Sequence, residues 1–303
     1  MRLLLIVNVN AQSVTPWMVD VIERALASEF KVDRATTKQQ GHAMHLAKGA
    51  AHEGFDVVVS LGGDGTVNEV ANGLAGTDVP MAIIPGGGTN VLARSLGIPR
   101  DPIEATWYLI SNRNREPRRI TLGRANDRYY TFTCGIGFDG AIVREVERRQ
   151  RLKKGLGNPY YVWSAARLLL AGIDRRKPLV HLRWGPELEH RRDGLFVAIS
   201  QKTRPFTYLG NREMNLCPRA RLELGLDCIA LDTLSVPTIL RVAGQAFTSA
   251  KHVRNRHALY LHDQPRIEIT CDAPMPAQMD GEYIGEHTRL ELEAVPSALS
   301  LLA

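Results

Sequence analysis

Two rhythms of hydrophobic spacing divide the chain. Over roughly the first hundred residues, apolar runs suited to strands buried on both faces alternate with apolar stripes at helical spacing. Leu3 to Val7 is such a run; Thr15-Pro16 then reads as an N-cap followed by proline at the first helical position, with Val19, Ile22 and Leu26 forming one stripe. The order repeats: a strand over FKVDRAT (30–36), a helix over HAMHLAKGAA (42–51), a strand over DVVVSL (56–61), a helix from about Thr66, a strand over MAIIP (81–85) and a helical NVLARSLG. This alternation predicts an α/β region, a doubly wound, mostly parallel sheet with helices on both faces. Ligands of such sheets sit at the carboxyl ends of the strands.

After about residue 112 the rhythm changes. RYYTFTC (128–134), LVHLRW (179–184), LFVAIS (195–200), LDCIAL (226–231), RIEITC (266–271) and RLELEAV (289–295) are short, often alternating, and separated by Gly, Pro and Asp. That is the pattern of antiparallel strands. Helical spacing interrupts it at about 139–150 and at 159–171, the second stretch carrying Tyr161, Ala165, Leu168 and Leu169. The polar, proline-broken SNRNREPRR (111–119) reads as the linker. Two domains are expected, 1–118 and 119–303, with the last ~15 residues able to pack back on the first.

Bulk properties narrow the class. With 303 residues, 44% of them hydrophobic and 23% charged, the chain is globular and long enough for two cores. A net charge of +6 and a pI of about 9.2 favour anionic partners. Cys134, Cys217, Cys228 and Cys271 form no CxxC pair and have no histidine at finger-like spacing, which points away from zinc or a disulfide framework and toward reduced thiols in a cytosolic enzyme. MRLLLIVNVN has only five strongly apolar residues before Asn8, too few for a signal peptide, and no stretch approaches the length of a membrane span. Membrane contact is therefore expected at the surface alone.

The candidate chemistry lies in the turns. SLGGDGTVNEV (60–70) joins strand to helix through Gly62, Gly63 and Gly65. Glycines can take positive φ and let backbone N–H groups approach a ligand closely, and the helix that opens there favours an anion. Asp64 would repel a phosphate unless a cation lay between them, which implies a magnesium ion on nucleotide phosphates. A tight turn with aspartate as a cap would read the same way. IPGGGTN (84–90) repeats the arrangement at a neighbouring strand end, with Thr89 and Asn90 opening the next helix, and two such turns can line one phosphate cleft. Neither matches GxxxxGK[ST] or GxGxxG, so a nucleotide site of another design is required.

GGDGTVNEV together with PGGGTNVLARSLGIP resembles the catalytic domain of the diacylglycerol kinase family, which includes bacterial soluble lipid kinases and sphingosine kinases; the likeness is nearest to the actinobacterial lipid-kinase branch. It extends over nearly the whole chain, since GIGFDG (135–140), YLGNREMNLCPRA (208–220), GLD (225–227) and MDGE (279–282) follow in family order. The resemblance implies a nucleotide-binding α/β domain followed by a β-sandwich lipid-substrate domain. It implies an ATP- and Mg2+-dependent transfer of the γ-phosphoryl group to a lipid hydroxyl, with diacylglycerol giving phosphatidic acid. By the same resemblance Gly62, Gly63, Asp64, Gly65, Thr66 and Asn68 hold the ATP phosphates, and Thr37, Gly86, Gly87, Thr89 and Asn90 complete the nucleotide site. Asp64 would assist Mg-ATP, and Glu69 would support the loop from behind. Asp280 in MDGE matches the family's catalytic base, with Glu282 beside it.

A carboxylate suits that task. A lipid hydroxyl is a poor nucleophile, and a positioned carboxylate can take its proton as the γ-phosphoryl passes. Without the resemblance, Asp280-Gly281 would read as a hairpin turn. The chain departs from the family pattern in two places. Its first strand ends in NVNAQSVTP where many relatives have an NPxSG-like turn, which leaves Asn8 as a candidate to face the nucleotide. An acidic DDGxLD segment, which can carry a structural magnesium in bacterial relatives, reads LELGLD here and leaves Glu223 and Asp227 as its acidic candidates, with Glu223 the metal ligand to be tested.

RNREPRRITLGR (113–124), REVERRQRLKKG (144–155) and DRRKP (174–178) concentrate cations, either as solvated faces or as contacts with an anionic membrane at about 1 kcal/mol per cation. No aromatic platform interleaves with them, so nucleic acid is not an expected partner. The helix at 159–171, with Tyr160, Tyr161 and Trp163 at one end, either packs in the core or lines an acyl-chain pocket. The expected enzyme is thus a cytoplasmic lipid kinase, peripheral at the inner face of the membrane, with a homodimer left open. Two other readings fit parts of the chain. A NAD kinase-like small-molecule kinase shares GGDGT but lacks the TVNEV continuation and the late MDGE. A silent nucleotide- or membrane-binding regulator is disfavoured by Asp64 and Asp280 together. His42, His45 and His52 are spaced for a helix and read as packing or surface residues, and nothing near Cys217 or Cys271 suggests an activated thiolate.

Overall fold

The computed structural model describes residues 1–148, 159–171, 179–209 and 211–303. They form two compact units: Met1–Leu122 with Val295–Ala303, and Gly123–Ala294. In the first unit four parallel strands, β1 (Arg2–Val7), β2 (Lys31–Thr36), β3 (Val57–Gly62) and β4 (Met81–Pro85), pair in the order β2-β1-β3-β4. Every residue of β3 and β4 is buried, as unbroken apolar runs require of strands covered on both faces, whereas the edge strand β2 exposes Lys31 and Arg34.

The chain steps from β1 to β2 in one direction and from β2 to β3 in the other. Right-handed crossovers therefore put α1 (Pro16–Ala27) on one face and α2 (His42–His52) with α3 (Asp64–Leu74) on the opposite one. The strand order reverses between β1 and β3, and the glycine turn that follows β3 stands at this switch point. α3 begins at Asp64, slightly earlier than its apolar spacing suggested. After the short α4 (Val91–Ser95), α5 (Pro102–Asn112) packs on α1. That helix was not foreseen, although its start is written in Asp101-Pro102: the aspartate accepts from the N–H groups of Ile103 and Glu104 at 2.9 and 3.0 Å. The polar stretch 111–119 is accordingly no free linker, since α5 takes its first residues and β5 (Arg118–Ala125) its last.

The second unit is mainly antiparallel. β6 (Arg128–Tyr130) turns back on β5; β7 (Thr133–Gly137), β8 (Val180–Trp184), β9 (His190–Leu195) and β10 (Val197–Gln201) follow. β11 (Thr207–Leu209) and β12 (Arg212–Met214) make a separate hairpin, and β13 (Leu226–Leu231), β14 (Ala258–Gln264), β15 (Arg266–Met279) and β16 (Glu282–Leu301) complete the set. One path runs β14-β13-β10-β7-β15. β15 changes partners along its length, pairing with β8 over Ile267–Cys271 and with β7 over Ala277–Met279, and its register with β16 shifts between Thr270 and Met275.

Side-chain alternation explains why LFVAIS and LDCIAL carry apolar residues on both faces. Ala198, Cys228 and Ala230 join one buried cluster with Tyr130, Ile267 and Leu292; Val197, Ile229 and Leu231 join a second with Phe138, Leu169 and Val242. The second cluster is roofed by α6 (Phe138–Arg148), α7 (Pro159–Ala171) and α8 (Val236–Ala246). Of these, α8 was not foreseen, and residues 149–150 of the helix expected over 139–150 lie outside the described residues. The chain crosses between the units within β5 and returns within β16, whose Leu301 pairs in parallel with Met81 of β4. An α/β region with a parallel sheet followed by a mainly antiparallel region is the fold class expected from the sequence.

Candidate functional site

In the first unit, the two glycine turns pack against each other. The Gly86 N–H donates to the Gly62 carbonyl at 2.7 Å, and a Cβ placed on Gly87 would stand 2.7 Å from the Gly63 Cα. A Cβ on Gly62 would meet Thr66 Oγ1 at 2.6 Å. None of Gly62, Gly63, Gly65, Gly86, Gly87 or Gly88 has positive φ. Left-handed backbone is therefore not what these glycines supply: Gly87 lies against the main chain of Gly63, while a Cβ on Gly86 would meet Val14 Cγ2 at 2.5 Å and one on Gly88 would meet Gln12 Oε1 at 2.7 Å. Asp64 stitches the turns together, its Oδ1 accepting from the Val91 N–H at 2.6 Å and so capping α4 from the neighbouring loop. Asn90 closes its own turn from left-handed backbone (φ 49°), accepting from Gly87 N–H at 3.0 Å and donating to Gly87 O at 2.6 Å.

The loop after β1 joins this crest. Asn8 Nδ2 donates to Thr66 Oγ1 at 2.9 Å, and the Ser13 N–H donates to the Gly86 carbonyl at 2.9 Å. Glu69 reaches to the loop after β2, accepting from the Gly41 and Ala43 N–H groups at 2.7 and 2.9 Å. It thereby fastens the start of α2, and with it the stretch that follows Thr37, whose N–H donates to the Val7 carbonyl at 2.9 Å. Four strand ends thus contribute to one crest. Gly63, Asp64, Gly65, Gly87 and Thr89 are half-buried and Gly88 is exposed, while Thr66, Asn68 and Asn90 are buried. The last three shape the turns from within; Asn68 Oδ1 accepts from Asn72. The first N–H groups of α3, like those of any helix, have no intrahelical partner.

In the second unit, Asp280 and Gly281 form the two-residue turn between β15 and β16, with Met279 paired to Glu282. Both have positive φ, 48° and 80°, as a type I′ hairpin requires. The carboxylate points back into the unit, where only 5% of the residue is exposed. Oδ2 accepts from the Thr131 N–H (2.7 Å) and Thr131 Oγ1 (2.8 Å); Oδ1 accepts from the N–H groups of Phe132 and Thr133, both at 2.9 Å. The Asp280 N–H donates in return to the Thr133 carbonyl at 2.8 Å. Burial pushes the Asp280 carboxyl above its ordinary value, against the pull of those donors. Glu282 stands apart from this cage, paired with Arg128 at 3.0 Å.

Sequence reasoning missed the cage itself. Gln278 extends it: Oε1 accepts from the Gly281 N–H at 3.0 Å and Nε2 donates to Asp139 Oδ2 at 2.7 Å. Asp139, in GIGFDG, is pushed up to about 6 by burial. The signals available were the Asp-Gly turn and the acid in GIGFDG; nothing in TFT (131–133) marks it as a carboxylate receptor.

The segment containing Glu223 already holds a cation of the protein's own. Lys202, fully buried, donates through Nζ to the carbonyls of Leu224 (2.5 Å) and Gly225 (2.9 Å). Asp227 is taken by Tyr260 and His262. Among the described residues no group of three or more His, Cys, Asp or Glu side chains could hold a metal. In the basic stretches, Arg113 pairs with Glu29, Arg119 with Asp78, Arg124 with Glu293 and Arg144 with Glu286. Residues 149–155 and 174–178, and the side chain of Tyr160, lie outside the described residues. α7 packs through Leu169 and Leu168 and exposes Trp163 and Leu170. Burial raises the thiols of all four cysteines, Cys271 to about 11. Among the described residues no helix is long and apolar enough to cross a membrane.

Comparison with known proteins matches residues 2–125 to the diacylglycerol kinase catalytic domain family. The chain is 30% identical to a diacylglycerol kinase of Mycobacterium tuberculosis over 275 residues, 86% of this chain and 81% of that one. It is 30% identical over 281 residues to a probable lipid kinase YegS-like of Pseudomonas putida, covering 90% and 86% of the two chains. A crystal structure of a putative diacylglycerol kinase from Bacillus anthracis superposes with a TM-score of 0.78 at 21% identity, over 99% of this chain and 96% of that one, a likeness of fold.

Proposed function

This chain belongs to the diacylglycerol kinase catalytic-domain family and is a lipid kinase of that kind, and we propose that it transfers the γ-phosphoryl group of ATP to the hydroxyl of diacylglycerol, giving phosphatidic acid. The observation that carries the reading is the pair of glycine turns stitched by Asp64 at the switch point of the parallel sheet. Gly63, Gly65, Gly87 and Thr89 are the accessible members and would meet the phosphates through main-chain N–H groups. Thr66, Asn68 and Asn90 would act by fixing the turn. Thr37, on the loop tied down by Glu69, would complete the nucleotide site.

Asp64 is the carboxylate best suited to Mg2+ in this crest. The absence of a three-ligand cluster among the described residues fits an ion that arrives with the nucleotide and takes most of its ligands from phosphate and water. Bound there, it would neutralise charge on the transferring phosphoryl group.

Asp280 would accept the acceptor's proton. Ionised, it suits that role; protonated, it cannot perform it. The lipid would be presented at an anionic membrane surface, to which the basic stretches would contribute. The test is incubation with labelled ATP and, in parallel, a total lipid extract or NAD, followed by mass spectrometry of the labelled product. Labelled phosphatidic acid is the expected result. Label on NAD and on no lipid would move the chain to the small-molecule kinases.

A further inference from the structure

The cage around Asp280 leaves its carboxylate no lone pair to spare. An ionised carboxylate offers about four acceptor sites, and Thr131 N–H, Thr131 Oγ1, Phe132 N–H and Thr133 N–H occupy them. A base in that state cannot take a proton from a substrate hydroxyl until one donor withdraws. Three of the donors are main-chain N–H groups, and the backbone around them is fixed: Asp280 N–H bonds Thr133 O, and Lys202 N–H bonds Phe132 O at 2.9 Å. Thr131 Oγ1, by contrast, belongs to a side chain and can leave by rotation about χ1 alone.

We propose that Thr131 is a positioning residue for the acceptor: its hydroxyl holds Asp280 Oδ2 in the resting enzyme and turns away as the lipid hydroxyl arrives to take its place. The inference rests on Asp280 being the base. In the transfer step the acceptor O–H breaks and its proton passes to Oδ2, while the acceptor oxygen bonds the γ-phosphorus. The bond from that phosphorus to the bridging oxygen breaks, and its electron pair leaves on ADP. Until then, the Thr131 hydroxyl stabilises the ionised carboxylate; its departure makes Oδ2 more basic as the substrate docks.

Other ionisable groups around the turn must be separated from this effect. Tyr130 and Cys134 on the flanking strands are buried and held well above their ordinary values by burial, so they stay neutral. Arg128 and Glu282 pair with each other. Asp139, reached through Gln278, is pushed up to about 6 and titrates in the relevant window; Asp139→Asn removes it.

The experiment measures kcat/KM for short-chain diacylglycerol in detergent micelles against pH at saturating ATP, a profile that reports the enzyme before the acceptor is bound, for the wild type, Thr131→Val and Thr131→Ser, each also in the Asp139→Asn background. Removing a donor to the ionised form raises the pKa of the base, so the acidic limb should move up by about one pH unit in Thr131→Val, a tenfold change in proton affinity. KM for ATP should stay put, and Thr131→Ser, which keeps the hydroxyl, should follow the wild type. An unmoved limb in Thr131→Val would overturn the proposal and leave Asp280 as base; a merely structural role would lower thermal stability without moving the limb. If Thr131→Val fails to fold, a tenfold fall of kcat in Thr131→Ser with ATP binding intact is the overturning result. Near wild-type turnover by Asp280→Asn would instead sink the assignment of the base itself.

Discussion

The glycine turns of the first unit and the Asp280 turn of the second are built from the same material, consecutive main-chain N–H groups, and use it oppositely. In the second unit the N–H groups of Thr131, Phe132 and Thr133 close on a carboxylate that the protein supplies. In the first, turns pressed together at Gly62, Gly63, Gly86 and Gly87 frame the start of α3, whose first N–H groups have no intrahelical partner. A carboxylate appears in both, with different duties: Asp64 ties one loop to another, whereas Asp280 is itself the tied group. Two turns packed main chain against main chain tolerate no Cβ at their contacts. A held side chain tolerates no change in its acceptors.

That contrast can be broken at either end. The largest effect is expected from Asp280→Asn, which should reduce turnover by about a hundredfold or more while leaving ATP affinity near the wild-type value. The same substitution turns an NH2 group toward caged N–H donors and should lower stability by about 1–3 kcal/mol, so thermal unfolding must be measured beside the rate. Gly87→Ala should act in reverse. With its Cβ 2.7 Å from the Gly63 Cα, the turns must part, and ATP binding measured by calorimetry should weaken about tenfold, for about 1.4 kcal/mol; an unchanged affinity would separate the glycine contact from the nucleotide.

Two smaller effects sharpen the comparison. Asp139 holds a proton in the folded state up to about pH 6 that the unfolded chain loses near its ordinary value, so stability should fall as pH rises through that window and should fall less in Asp139→Asn, where Asp280 remains raised. Urea unfolding at pH 5 and pH 7 reads the difference, and parallel behaviour of the two proteins would refute it. Glu69→Gln keeps one acceptor oxygen of the two that hold Gly41 and Ala43. About 1 kcal/mol of stability should be lost, with a modest rise in KM for ATP and none for the lipid; an equal rise in both would show that Glu69 does not act through the nucleotide loop alone.

Much of this architecture was legible because it is local. The strand β3 and the cap of α1 by Thr15 follow from neighbours in sequence, as does the Asp280-Gly281 turn. α5 was equally legible through Asp101-Pro102, an N-cap followed by proline at the first helical position. What could not be read is what distance in sequence hides. Asp280 finds its donors 147 to 149 residues away, and the glycines of one turn are explained by the glycines of the other. Of the two reasons expected for those glycines, positive φ is not used, and the close approach observed is to the neighbouring turn and to Thr66 and Val14.

The division of labour between the two units is tested most directly by single-turnover transfer from ATP-saturated enzyme to diacylglycerol, wild type against Asp280→Asn, with ATP affinity measured on the same samples. The account predicts matched ATP affinities and phosphatidic acid formation slowed about a hundredfold or more in the variant. Transfer at the wild-type rate, or loss of ATP binding in step with loss of transfer, would contradict it.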